Sequence, residues 1–153
     1  MSRFETRALE GKPFQLGDQD CFELVRGFYK INFSINIPDF SRPNDWEPEK
    51  DNLIDNLYGS AGFEKLDVDE FWPPRPADIM VCTVGGSVPN HLVIFLGGNE
   101  ILHHKIGMLS GREMMRPAWK RYTSYLLRHP QVPDLTEKKP VMDLMEVYRE
   151  KLV

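Results

Sequence analysis

The chain has 153 residues, 41% hydrophobic and 27% charged, with a formal net charge of -4, which fits one soluble globular domain long enough to bury a core. Net acidity with scattered Lys and Arg argues against nucleic acid as a partner, because gripping a phosphate backbone needs a concentrated basic face. No window approaches the roughly 18 consecutive apolar residues that span a bilayer, and Met1-Ser2-Arg3-Phe4-Glu5 lacks the basic-then-apolar order of a signal peptide, so no membrane insertion and no leader are expected, and synthesis is expected in a cytoplasm.

In chain order, residues 1 to 20 read as an entry segment, with a turn at Gly11-Lys12-Pro13-Phe14 and a loop at Gly17-Asp18-Gln19-Asp20. Asp20 is a good helix cap, and Glu23 three positions on completes a pattern like a capping box. Apolar residues at 22, 25, 28, 29 and at 24, 28, 31 then give the stretch Phe22 to Ile31 a broad buried helical face. Residues 36 to 50, with Pro38, Pro43, Trp46 and Pro48, predict an irregular connection. Leu53, Ile54, Leu57 and Tyr58 follow helical spacing within a second predicted helix, Asp51 to Tyr58, which Gly59 to Gly62 ends.

From residue 77 short apolar runs are parted by turn signals, the pattern of strands. Strands are predicted at Ile79 to Val84, His91 to Leu96, Glu100 to Lys105 and Tyr122 to Arg128. Helices first and an antiparallel meander afterwards predict an α+β domain over residues 1–130. Pro130 to Pro140 reads as a Pro-containing linker, and Val141, Leu144, Met145, Tyr148 and Leu152 mark one face of a C-terminal amphipathic helix, so residues 131–153 are expected to form an appendage.

The chemistry centres on Cys21, placed in the first turn of the first helix. Unpaired backbone N–H groups and partial positive charge at a helix start favour a thiolate and leave donors beside its point of attack. Cys82, inside the apolar run Ile79 to Val84, reads as a small buried side chain. His91, at the head of a strand after Pro89-Asn90, is the candidate base, and His103 and His104 are candidates for the group that orients it. A hairpin loop of Gly97, Gly98 and Asn99 sets Val93 opposite His103 and makes His91 and His103 diagonal neighbours; a two-residue loop of Gly98 and Asn99 sets Val93 opposite His104 instead. The odd loop is compatible with a Gly-assisted bulge.

A Cys–His pair supplies a nucleophile and a proton donor for the leaving amine, so amide hydrolysis through a thioester is expected, without metal or other cofactor. A zinc site built from His91, His103, His104 and Glu100 fits poorly, because adjacent strand residues point to opposite faces and no His-Glu-x-x-His spacing occurs. Acyl transfer by the same pair differs only in the acceptor. His129 and Trp46, Trp72 and Trp119 read as packing residues.

The segment Phe14-Gln15-Leu16-Gly17-Asp18-Gln19-Asp20-Cys21, the strand entry Val88-Pro89-Asn90-His91 and the run Gly97-Gly98-Asn99-Glu100-Ile101-Leu102-His103-His104 resemble the NlpC-type papain-like cysteine peptidases, in the branch found in phage tail tips. The similarity runs through Gly107, Leu109 and Ser110 into Trp119 to His129, covering roughly residues 10 to 130. It implies a papain-like fold with Cys21 as nucleophile, His91 as base and His103 as orienting group. It further implies cleavage of the peptide stems of bacterial peptidoglycan by a virion component at the tail tip, with other tail-tip proteins as partners. An assembly protein with a weak or idle site is the alternative. Phe22 and Glu23 stand where cell-wall members usually carry small residues, and an acid beside the sulfur would oppose its ionisation.

Overall fold

Asp20 begins the first long helix. Its backbone is extended, its side chain accepts from the amide of Glu23, and α1 runs from Cys21–Phe33 to a left-handed cap at Ser34. A computed structural model of the chain describes residues 4–42, 47–48, 50 and 52–136. After α1 come α2 (Leu53–Leu57), β1 (Glu64–Leu66), α3 (Val68–Phe71), β2 (Ile79–Cys82), β3 (His91–Gly97), β4 (Glu100–His103), β5 (Gly111–Met114), α4 (Ala118–Tyr122) and β6 (Thr123–Arg128). The strands form one six-stranded sheet in the order β1-β6-β2-β3-β4-β5. Every neighbouring pair is antiparallel. The α+β class expected from the sequence is the one observed.

Both faces of the sheet are covered. On one face Ile79, Val81, Leu92, Ile94 and Leu102 meet Leu24, Val25, Phe28 and Tyr29 of α1. Met80, Cys82, Val93, Phe95 and Ile101 form a second cluster with Trp119 of α4 on the other. Two-sided burial explains why β2 and β3 are continuous apolar runs rather than alternating ones. Cys82 is fully buried there, as its sequence context implied. The Tyr29 hydroxyl donates to the Ala77 carbonyl and ties α1 to the start of β2.

The β3–β4 hairpin combines features of both loop lengths weighed above. Gly98 and Asn99 carry φ of 58° and 61°, the signature of a two-residue type I′ turn. A bulge between Phe95 and Gly97 takes up one residue, so Gly97 pairs with Glu100 while Val93 still faces His103. Positive φ at Gly97, together with Pro76 3.2 Å from where a Cβ would stand, is why glycine serves at the bulge.

After β6 the chain folds back. His129 is buried against the rings of Phe63 and Tyr29, Val132 and Leu135 pack on the α1-side core, and Arg75 pairs with Asp134 at 3.5 Å. The predicted C-terminal helix, with Val141, Leu144, Met145, Tyr148 and Leu152, lies outside the described residues, as does Trp46. Among the described residues no helix is long and apolar enough to cross a membrane.

Candidate active site

The loop before Cys21 is built to hold its side chain in place. Gln15 and Gln19 pair across a tight turn, and Gly17, at φ +89°, donates its amide to Asp20 Oδ2 at 2.9 Å. Asp20 thereby binds the loop with one oxygen and the amide of Glu23 with the other. It is only 2% exposed. Arg42 compensates its charge, with Nε 2.5 Å from Oδ2 and Nη2 3.3 Å from Oδ1, and also reaches the carbonyls of Gly17 and Phe40. Glu23 does not complete the capping box. Its carboxylate pairs instead with Arg26 at 2.9 Å and Arg42 at 3.0 Å.

On the strand side, Asn90 bonds both the amide and the carbonyl of Val84, closing the connection between β2 and β3. Asn52 holds the Pro89 carbonyl at 2.7 Å. His91 is thus presented at the head of β3. Ser110 docks the entry segment on the far side, accepting from the Lys12 amide and donating to the Leu9 carbonyl. That docking brings Phe14 onto the ring of His104, 5.3 Å away.

Cys21 and His91 line one cleft of about 700 Å³, whose walls include Phe14, Leu16, Phe22, Phe40, Tyr58 and His104. The backbone of Leu92, the residue after His91, favours the ionised form of the Cys21 thiol, against the larger effect of burial. Behind His91, its Nε2 lies 3.0 Å from His103 Nδ1. His103 Nε2 in turn lies 2.8 Å from Glu113 Oε1. His104 turns away from this row, with Nε2 3.1 Å from the Met108 carbonyl. The structure therefore brings Cys21, His91 and His103 to one end of the sheet, and it adds Glu113, which the sequence had not singled out.

The charge state differs from the one expected at a helix start. Burial, with help from the Asp20 carboxylate, pushes the Cys21 thiol up to about 12. The opposing acid is Asp20 and not Glu23, whose charge is taken up by arginines. Burial first, then repulsion from His103, Lys105 and His104, brings His91 down to about 3. Both shifts favour thiol and neutral imidazole over the ion pair, with desolvation opposing the helix end. Among the described residues, no group of three or more His, Cys, Asp or Glu side chains could hold a metal ion.

Comparison with known proteins yields relatives from two bacteriophages. The chain is 38% identical over 122 residues to the tail tip assembly protein K of Escherichia phage lambda, covering 79% of this chain and 59% of that protein. It is 30% identical over 123 residues to the tail tip assembly protein K of Escherichia phage N15, covering 79% of this chain and 49% of that protein. The chain thus spans about half the length of the curated relatives it matches. Residues 11–128, which contain the loop, the helix start and all three histidines of the site region, match the NlpC/P60 family, and the chain belongs to that family.

Proposed function

We propose that the chain is a cysteine endopeptidase that cleaves the peptide stems of bacterial peptidoglycan, and that it works in the virion at a phage tail tip, alongside other tail-tip proteins, to help open the cell wall. The observation that carries this reading is the shared cleft: Cys21 opens α1 against the head of β3, and His91 enters the same cavity with its Nε2 already engaged by His103. Only Nδ1 of His91 then remains for the sulfur's proton.

In the proposed reaction the Cys21 sulfur attacks the scissile carbonyl as its proton passes to His91 Nδ1. The neutral resting pair makes these two movements concerted, because a free thiolate is scarce. The backbone N–H of Cys21, at the first position of α1, faces the developing oxyanion. Collapse of the tetrahedral species breaks the C–N bond, and His91 returns its proton to the leaving amine. Water, deprotonated by His91, then releases the acyl group from sulfur.

The test is mass analysis of muropeptides after incubating Gram-negative peptidoglycan with the protein and with Cys21→Ala. Expected are new amino ends with the wild type and a loss of at least ~10³-fold in rate with the variant, at unchanged unfolding temperature. Equal rates would remove Cys21 as nucleophile.

A second reading, an assembly protein with an idle site, draws on the names of the phage relatives. It expects Cys21→Ala phage to assemble and infect normally. The division of the chain at residue 130 also belongs to the proposal, with residues 131–153 serving as tether and partner-docking helix. Since Val132 and Leu135 pack on the core, the tether would start beyond Leu135.

A further inference from the structure

His91, His103 and Glu113 step diagonally across three adjacent strands. Val93 pairs with His103, so His91 lies two residues from the directly opposed position. Ile101 pairs with Glu113 and His103 with Gly111, so Glu113 is offset from His103 by the same two residues. Diagonal neighbours on one face are within reach of long side chains. Trp119, its ring 5.2 Å from that of His103 and perpendicular to it, backs the row from α4.

Hydrogen-bond logic then fixes where the protons sit. A carboxylate only accepts, so the 2.8 Å contact to Glu113 places a proton on His103 Nε2. A neutral imidazole carries one proton, so His103 Nδ1 is bare and accepts. Its partner 3.0 Å away, His91 Nε2, is therefore the donor. The single proton of His91 is then on Nε2, and Nδ1 is an empty base.

We propose that Glu113 is a positioning residue that sets the tautomers of both histidines through His103, so that His91 meets the cleft with an unprotonated Nδ1. The proposal deepens the Cys–His reading above and rests on it for its catalytic consequence. Glu113 touches neither sulfur nor substrate. Its carboxylate also favours the cation that arises when His91 takes the thiol proton, through one intervening ring. The charged and titratable groups around His103 are His91 on β3, Glu113 on β5, and His104 and Lys105 next along its own chain. Burial first, then Lys105 and His104, disfavour a cation on His103, and Glu113 is the group that opposes them.

The experiment is long-range nitrogen–proton NMR of the 15N-labelled imidazoles in the full chain at pH 7.5, for wild type, Glu113→Gln and Glu113→Ala, together with steady-state kinetics. Expected in the wild type are Nε2–H tautomers at both His91 and His103. Glu113→Ala should give mixed tautomers at both rings and lower kcat roughly tenfold to a hundredfold with KM within about twofold, a smaller loss than the ~10⁴ seen when a directly bonded orienting group is replaced. Glu113→Gln keeps an oxygen acceptor without the charge, and should retain the tautomers and part of the rate. An Nδ1–H tautomer at His103 in the wild type overturns the proposal whether or not any variant folds, and so do unchanged tautomers in a folded Glu113→Ala protein. If the tautomers shift but the wild type has no turnover, the positioning role stands and the peptidase reading falls.

Discussion

His103 and His104 are neighbours in sequence with opposite duties. His103 binds His91 at 3.0 Å and Glu113 at 2.8 Å, whereas His104 packs on Phe14 and bonds the Met108 carbonyl. His103→Ala should therefore lower kcat by ~10² or more, beyond the roughly 1–3 kcal/mol of stability lost with a buried hydrogen-bond partner. His104→Ala should likewise cost about 1–3 kcal/mol of stability but retain more activity than His103→Ala. Paired urea titrations and rate measurements decide this, and the reverse order would reassign the orienting group. The thiol makes a second prediction. With Cys21 pushed up to about 12, alkylation by iodoacetamide should rise close to tenfold per pH unit between about pH 6 and 9, with Cys21→Ala as the background. A plateau across that range would mean a resting thiolate–imidazolium pair.

Among the elements, α1 and its loop carry the greatest electrostatic stake. Arg42, with its side chain only 4% exposed, is compensated chiefly by buried Asp20. Asp20→Ala removes a helix cap and strands that cation, and should cost about 3–5 kcal/mol in urea unfolding. Adding Arg42→Met should recover part of the loss; a single-variant loss below about 1 kcal/mol would show that the pair is dispensable. The start of α1 was legible because Asp20 and Cys21 are adjacent and the apolar spacing behind them is helical. The core strands were legible for a similar reason, being long apolar runs between turn residues. β5 was not, because Gly111-Arg112-Glu113-Met114 is half-exposed or exposed and has no apolar alternation. Without β5 there is no register that sets Glu113 beside His103, so the outermost member of the row could not be found. The hairpin register was legible only as two options, since the bulge at Leu96 and the turn at Gly98-Asn99 trade one residue between them. The burial that pushes the thiol up was not legible, because a helix end is visible in sequence while desolvation depends on tertiary packing.

At the scale of the whole molecule, all four histidines are held below their ordinary value, with burial as the leading cause at each. A group whose folded pKa is depressed is protonated first in the unfolded chain. Stability from it is present above the unfolded value of about 6.5 and is lost as pH falls toward the folded value. For His91, which falls to about 3, the slope should approach ~1.4 kcal/mol per pH unit between about pH 6 and 4. Thermal unfolding should show this decline, and His91→Gln should flatten it; an equal slope in the variant would mean that acid acts elsewhere. The walls of the cleft bring together the entry loop, α1 and the heads of the core strands, so the site depends on the domain being intact.

The most direct test of Cys21 as nucleophile is intact-protein mass after rapid acid quench during turnover of Gram-negative stem peptides, since a thioester survives acid. A mass gain equal to the acyl fragment, mapped to Cys21 and absent from Cys21→Ala, is the expected result. Cleavage with no acyl mass on Cys21, and undiminished in Cys21→Ala, would contradict a sulfur nucleophile served by His91.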